Sequence, residues 1–454
     1  MKSLLFTYIL TYGGALASFY RPFYGFLIYV MFAIMKPDLL WWYTVPEGNY
    51  SRTIAIALIA GWALHGCGDW QFGRGKALIV ALVGFLAWAG GMTMWAESRD
   101  LAMPYIEDLA KIVLPAFVGL TLLDSPKRLQ QLAWVILLAV GYLALEMNLS
   151  YLQGYNRIRE EGFGGLDNNG VAIIFDSCVG LSLFLGLAAR TWWSKSISLG
   201  ISLLLIHGVF LSNSRGGMLA LLVTGFISFL LLPKKPWHYA LFMLILLVGV
   251  RLAGDEVQTR FATIFSREGE RDASLEDRKD LLYFALVSVG KRPLMGVGPN
   301  HWNRTASLEY GIADGKATEV RNTWVQIAAE LGLPGLGLLL TYYGLCVIRL
   351  LPLARSRPDG ADAEAADLAR MVISSVAGSL VACSFVSVES VETPYYIALL
   401  GAGVLRTAPG RGTRALPAGA YPSSVVHAAR RSNSRPRPAP GAGEITNPER
   451  QVMR

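Results

Sequence analysis

Charge is what this 454-residue chain has least of: Asp, Glu, Lys and Arg make up 16% of it against 53% hydrophobic residues, with a mean hydropathy of +0.41. A soluble domain carries about 25% charge, so the deficit points to a membrane protein. Cysteine is sparse too. Cys67, Cys178, Cys346 and Cys383 lack the spacing of a zinc site or a disulfide framework, and three of them lie inside apolar runs, where Cys behaves as a small hydrophobe. There is no D-x-D near a membrane face, no H-E-x-x-H, no Walker lysine and no G-x-S-x-G. Metal-dependent, protease, ATPase and hydrolase chemistries therefore lose their usual supports, and neither a metal nor a cofactor is expected. No internal repeat and no half-to-half likeness of the transporter kind is visible. The net charge is +8, but the segment from Arg406 to Arg454 alone holds nine Arg against two acids, so the rest of the chain is close to neutral. A basic protein aimed at nucleic acid does not follow.

What the chain has in abundance is apolar sequence in runs of membrane length. A span needs about 20 apolar residues. Spans are predicted near Ser3–Phe19, Pro22–Met35, Thr53–Gly66, Lys76–Trp95, Tyr105–Leu123, Leu129–Asn148, Asn169–Ala189, Ile197–Leu211, Gly216–Leu232, Trp237–Leu252, Thr323–Leu351, Ala369–Val388 and Pro394–Leu405. The expected architecture is all-α and polytopic, with about 12 or 13 transmembrane helices by the length criterion. Residues 1–253 form membrane helices, 254–322 a large polar loop, 323–405 the closing membrane helices, and 406–454 a disordered basic cytoplasmic tail. The tail is rich in Pro, Gly, Ala and Ser and cannot bury enough apolar surface to fold. The first apolar stretch, Leu4–Phe19, runs on into further apolar sequence and reads as an uncleaved span.

Orientation follows from Lys and Arg in the short connections. Arg74/Lys76, Lys127/Arg128, Arg190/Lys195, Lys234/Lys235 and Arg355/Arg357 recur at every second connection, which assigns those to the cytoplasm. Arg157, Arg159, Arg215 and the arginines of the polar loop then lie on the outer side, against the general trend. An anionic ligand is a good reason for positive charge there. Within the spans, Asp176, Glu146 and Lys111 are ionisable groups at depth, which face a bundle interior or a wet cavity, either as structural pairs or in a functional role.

Three stretches could carry chemistry. Arg215 stands in L-S-N-S-R-G-G-M-L between two apolar runs. If Gly216 opens a helix, free N–H groups and the positive end of its dipole add to the guanidinium's pull on an anion. Arg also holds two oxygens of a diphosphate at once; the alternative is an anchor to lipid headgroups. Arg278 lies in E-D-R-K-D-L-L-Y-F-A-L-V, an amphipathic helix by its spacing, where Asp277 and Asp280 offer a structural ion pair instead. His301, in K-R-P-L-M-G-V-G-P-N-H-W, is the only histidine of the loop. Imidazole is a natural general base at neutral pH, although most surface histidines are not catalytic. Glu309, Asp314, Glu319 and Glu330 are carboxylate alternatives.

The run R-K-D-L-L-Y-F-A-L-V-S-V-G-K-R-P-L-M-G-V-G-P-N-H-W, followed by R-N-T-W-V-Q-I-A-A-E-L-G-L-P-G-L, resembles the O-antigen ligase and polymerase family, as does S-N-S-R-G-G-M-L. M-K-P-D-L-L-W-W-Y after two short spans is similar to the putative O-glycosylation ligases found with exosortase systems. The resemblance implies a GT-C-like glycosyltransferase of the bacterial inner membrane with a large periplasmic loop. Without metal, it would move a glycan from undecaprenyl diphosphate to a hydroxyl of an acceptor glycan, lipid or protein. The family's diphosphate-binding arginines fall on Arg215 and Arg278. Its His, then Asn, Ser or Gln, then G-x-x-G pattern falls on Arg321, Asn322, Gly332 and Gly335, so an arginine stands where the general base is expected. A guanidinium cannot take a proton, but it can stabilise developing negative charge. The resulting expectation has Arg215, Arg278, Arg321 and His301 as catalytic residues. Asn322, Arg157, Arg159, Asn168, Gly332 and Gly335 are expected to contact substrate. Polysaccharide polymerase, lipid-linked sugar flippase and non-catalytic exopolysaccharide assembly protein stand as alternatives.

Overall fold

A computed structural model describes residues 1–232, 239, 273–312, 319–356, 361–388 and 391–408. The predicted span Trp237–Leu252, apart from Tyr239, lies outside them, as do the first part of the polar loop, Asp314 and the tail beyond residue 408. In chain order the described helices are α1 (Lys2–Tyr20), α2 (Pro22–Met35), α3 (Pro37–Leu40), α4 (Tyr50–Leu64), α5 (Lys76–Met92), α6 (Arg99–Leu122), α7 (Pro126–Leu152) and α8 (Arg157–Glu160). They continue as α9 (Asn168–Ala188), α10 (Trp192–Leu211), α11 (Arg215–Leu231), α12 (Ala273–Lys291), α13 (Trp302–Leu308), α14 (Thr323–Ala354), α15 (Ala361–Ala382) and α16 (Glu392–Thr407). The protein is an all-α polytopic membrane protein. Seven stretches are both long and apolar enough to cross a bilayer, and α4 and α11 are shorter apolar helices.

Helix starts follow local chemistry. Asp167, Thr191, Ser214 and Asn322 each accept a backbone N–H of the first turn of α9, α10, α11 and α14, and Pro22 and Pro126 open α2 and α7, where a missing N–H leaves nothing unsatisfied. The interior is built around α9 and α16, whose residues are buried almost throughout. Small residues let neighbours approach closely: a Cβ on Gly180 would stand 2.3 Å from Ser374 Oγ, and one on Gly378 1.9 Å from Thr224 Oγ1. In lipid, where apolar burial gives no net drive, such close contact and interhelical hydrogen bonds hold helices together; the buried Ser177–Ser379 bond, 2.8 Å, joins α9 to α15.

The starts of α9, α11, α14 and α16 and the ends of α5, α7, α10 and α15 share one end of the bundle, here the loop end. The three ionisable groups expected inside the bundle diverge. Asp176 is fully buried, and neither of its oxygens has a partner among the described residues. Glu146 accepts the Tyr142 hydroxyl at 2.5 Å. Lys111 departs from the expectation of an inward-facing group: it pairs with Asp108 at 2.7 Å on the outside of α6, with both side chains more than half exposed. The interior face of that helix is already filled by Leu109, Ile112 and Val113.

Candidate functional site

At the loop end, three helix starts are drawn together by their own capping residues. Asn322 caps α14 by accepting the N–H groups of Trp324 and Val325, both 3.1 Å, and its amide donates to the Ser384 carbonyl at 3.1 Å. Thr323 donates its N–H to Cys383 and Val386 carbonyls, 2.9 Å each, and its hydroxyl to Val386 at 2.6 Å. These bonds fix the start of α14 on the connection that follows α15. The start of α11 meets the same connection. A Cβ on Gly216 would lie 2.4 Å from Phe385 Cβ, and one on Gly217 2.7 Å from Ala172 Cβ on α9. The glycine pair after Arg215 thus permits close packing on two neighbours, leaving Arg215 half-buried between them. Asn168 locks the third start in place, donating its amide to the Ser212 carbonyl at 2.7 Å.

Arg321 closes the set. Its guanidinium meets Asp167 at 2.7 Å, both side chains a little over one-third exposed, so the residue before α14 is tied to the cap of α9. Arg321 holds a left-handed backbone, φ 60°, a conformation uncommon outside glycine and enriched at functional positions. Asp167 also accepts the Gly170 N–H at 2.9 Å and the Asn169 amide at 3.1 Å. Burial works against its ionisation, but these two donors and Arg321 outweigh that and hold the carboxyl below its usual range. Arg278, near the start of α12, completes the cluster. Its side chain reaches solvent, yet surrounding atoms desolvate it, and with the positive charges of Arg321 and Arg215 they lower its proton affinity, opposed by Asp167. Arg215 and Arg321 are thus near enough to Arg278 to act on it electrostatically. The guanidiniums stay charged at any physiological pH. Glu319 faces the same group: desolvation and Asp167 raise its proton affinity, and Arg321 offsets part of that rise.

Arg215 and Arg321 flank the positive ends of α11 and α14 and Arg278 lies more than a turn into α12, an arrangement that can hold a multiply charged anion. Within it Asp167 is bonded to Arg321.

The remaining predicted residues make other contacts. Arg157 bonds Glu161 at 3.0 Å and the Leu39 and Leu40 carbonyls at 3.4 and 3.3 Å, so it finishes α3. Arg159 is exposed on α8. His301 is 1% exposed, with Nδ1 2.7 Å from the Pro299 carbonyl and Nε2 accepting the Ser98 N–H at 3.0 Å. Those bonds define the Nδ1–H tautomer and leave neither nitrogen open to a substrate hydroxyl. Gly332 forms a break in α14, and Gly335 follows it, packed against Leu331 and Trp88. Pro334 has no N–H for the Glu330 carbonyl, and Gly332 turns to φ 71°. The freed groups are taken up by the P-L-M-G-V-G turn: Leu333 N–H bonds Pro293 at 2.8 Å, Val297 bonds Ala329 at 2.9 Å and Gly298 bonds Glu330 at 2.9 Å. Trp88 satisfies the Leu331 carbonyl at 2.8 Å. The Glu330 carboxylate, 1% exposed, accepts the N–H groups of Asn300 and Trp302 at 2.8 and 3.1 Å and so starts α13. An open, largely apolar groove of about 440 Å³ lies between this turn and the end of α5, lined by Met92, Trp95, Arg292 and Leu294.

Sequence reasoning missed Asp167. Its signal was available in L-D-N-N-G before an apolar run, the mark of a capped helix start.

Residues 200–340 match the O-antigen ligase family, a segment that contains Arg215, Arg278, Arg321, Asn322, Gly332 and Gly335. Residues 1–157 match a family of unknown function (DUF5935). No curated protein matches the chain. Over the segment that builds the arginine cluster, this multi-pass membrane protein therefore matches the O-antigen ligase family, a match that supports a glycan-joining function of ligase or polymerase type.

Proposed function

We propose that the chain transfers a glycan from undecaprenyl diphosphate to an acceptor hydroxyl on the periplasmic side of the inner membrane. The observation that carries this reading is the gathering of Arg215 and Arg321, at the starts of α11 and α14, within electrostatic reach of Arg278 and beside Asp167. Gathered guanidiniums attract a polyanion, and a diphosphate carries the charge and the paired oxygens that Arg forks grip. In the reaction the acceptor oxygen forms a bond to the anomeric carbon. The bond from that carbon to the diphosphate breaks, and its electron pair leaves on the diphosphate oxygen, where the arginines stabilise it. The hydroxyl proton passes to Glu319, a carboxylate of raised proton affinity beside Arg321. This assigns proton removal to a neighbour two residues away from the arginine that stands in the family's histidine position. Arg321 steadies Asp167 and the leaving group.

The gathering of cations at one end favours transfer chemistry over a flippase, for which a polar path through the bundle is needed. The polar residues between α9, α11 and α15 are instead packed at glycine contact. The experiment is transfer by purified protein from a defined undecaprenyl-diphosphate glycan. Arg215→Ala and Arg278→Ala each abolish product while the protein remains at its normal level in the membrane. Undiminished product from both variants removes the clamp and the reading with it.

A further inference from the structure

Two guanidiniums at the end of the bundle away from the loop have no acid beside them among the described residues. Arg349 of α14 donates to the Arg74 carbonyl at 2.7 Å, and Arg74 in turn approaches the Arg349 carbonyl at 3.5 Å; neither is paired with a carboxylate. Lys76, exposed at the start of α5, adds a third positive charge. Other arginines of this end are already engaged: Arg406 meets Asp69 and Arg128 meets Asp124, each at 2.7 Å. The backbone around Arg74 is fixed. Arg406 of α16 also donates to the Gln71 and Asp69 carbonyls, both at 3.1 Å, and a Cβ on Gly75 would stand 2.6 Å from the Ala402 carbonyl oxygen. Arg74 is therefore presented by a clamped turn.

Helix α5 is 17 residues long, about 25 Å, so its start lies near one edge of a hydrocarbon layer about 30 Å thick. Lipid phosphates lie at that edge. Helices α5 and α14 stay together above the arginines, through Leu338 at the Gly84 position and the Trp88 bond to the Leu331 carbonyl. Their outer faces are apolar, with Val80 and Val83 of α5 and Ile348 of α14 exposed. Nothing lies within 4 Å of a Cβ on Gly337 or Gly344, which share the Ile348 face of α14 by helical spacing. The missing side chains leave a shallow furrow that leads away from the arginine pair.

We propose that Arg74 and Arg349 hold the phosphate of an anionic phospholipid whose acyl chain lies along the furrow between α5 and α14. Guanidinium forks match phosphate oxygens, and the phosphate supplies the negative charge that Arg74 and Arg349 lack. Basic side chains between helices at a membrane surface recognise anionic headgroups in this way. A zwitterionic lipid brings its own cation toward three positive charges, and a free phosphate gains nothing from the apolar furrow. The inference is independent of the glycan-transfer reading, and its test uses no assay of transfer.

Purified full-length protein in detergent is titrated with phosphatidylglycerol, phosphatidylcholine or inorganic phosphate. Bound lipid is counted by native mass spectrometry, and the melting temperature is recorded alongside. Wild type retains phosphatidylglycerol in preference to phosphatidylcholine and melts higher with it, while inorganic phosphate leaves the melting temperature unchanged. Arg74→Gln and Arg349→Gln each weaken phosphatidylglycerol binding about tenfold, the scale of one charge-assisted hydrogen bond. Arg74→Gln removes only the longer of the two carbonyl contacts, so it melts like wild type without lipid and separates lost binding from lost folding. Lys195→Gln, which removes the same charge from an exposed position at the start of α10, keeps wild-type binding. Undiminished binding by Arg74→Gln and Arg349→Gln overturns the proposal. So does an equal loss from Lys195→Gln, the mark of attraction by charge at large, or stabilisation by inorganic phosphate equal to that by the lipid.

Discussion

The break in α14 makes a quantitative demand on Gly332. Its φ of 71° is a left-handed conformation, which an alanine adopts at a cost of about 1 to 2 kcal/mol. A Cβ there would lie 2.2 Å from the Leu294 carbonyl oxygen and 2.5 Å from its carbon, both backbone atoms that no side-chain rotation can move aside. In Gly332→Ala the turn must therefore withdraw. It gives up the bonds Leu333 to Pro293, Val297 to Ala329 and Gly298 to Glu330, each contributing about 1 kcal/mol. The local loss is about 4 kcal/mol, which corresponds to opening on the order of several hundredfold more often. Hydrogen exchange of the Val297, Gly298 and Leu333 amides, followed by mass spectrometry in nanodiscs, reads that opening directly. Gly337→Ala is the matched control, since nothing lies within 4 Å of its Cβ position; it leaves exchange unchanged and slightly favours the helix. Equal protection of the three amides in wild type and Gly332→Ala would refute the account of the break.

Glu319 gives a pH dependence whose sign is fixed. Its proton affinity is raised, so the carboxylate needed to accept a proton is lost as pH falls through a range above the ordinary carboxylate value; transfer declines there in wild type, and Glu319→Gln is slow at all pH values with that acid limb gone. A Glu319→Gln enzyme that keeps both rate and acid limb excludes the role. His301→Gln lowers thermal stability, because the Pro299 and Ser98 bonds are disturbed, while activity per folded molecule stays within a fewfold of wild type. Loss of activity at full stability would return His301 to the chemistry. Asp176→Val raises the melting temperature in detergent, since it removes a buried carboxyl with no partner whose burial costs about 1 to 3 kcal/mol. A lower melting temperature would show that the carboxyl has a partner after all.

Much of this fold is written locally. Apolar runs of span length, the S-R-G-G junction and the G-x-x-G of α14 could be read directly, because length, capping and a missing proline N–H act within a few residues. Arg321 and Asn322 could be placed beside each other for the same reason. What could not be read is which groups meet across the bundle. Asp167 and Arg321 are 154 positions apart, and nothing in either neighbourhood names the other. His301 looked open to solvent because its immediate neighbours are turn-formers. Its burial depends on Ser98, 203 positions away. Lys111 was expected to face inward by the rule for ionisable groups in spans, yet it faces out.

The staple at the break also sets a length. Arg278 stands thirteen residues before Lys291, where α12 ends just short of the pinned turn, a rod of about 20 Å. With its far end nailed to α14, the helix acts as a gauge block that decides where the guanidinium lands. One residue more would swing that group by about 100° around the rod and carry it onward by about 1.5 Å, so the spacing between arginine and turn is constrained as tightly as the identity of either.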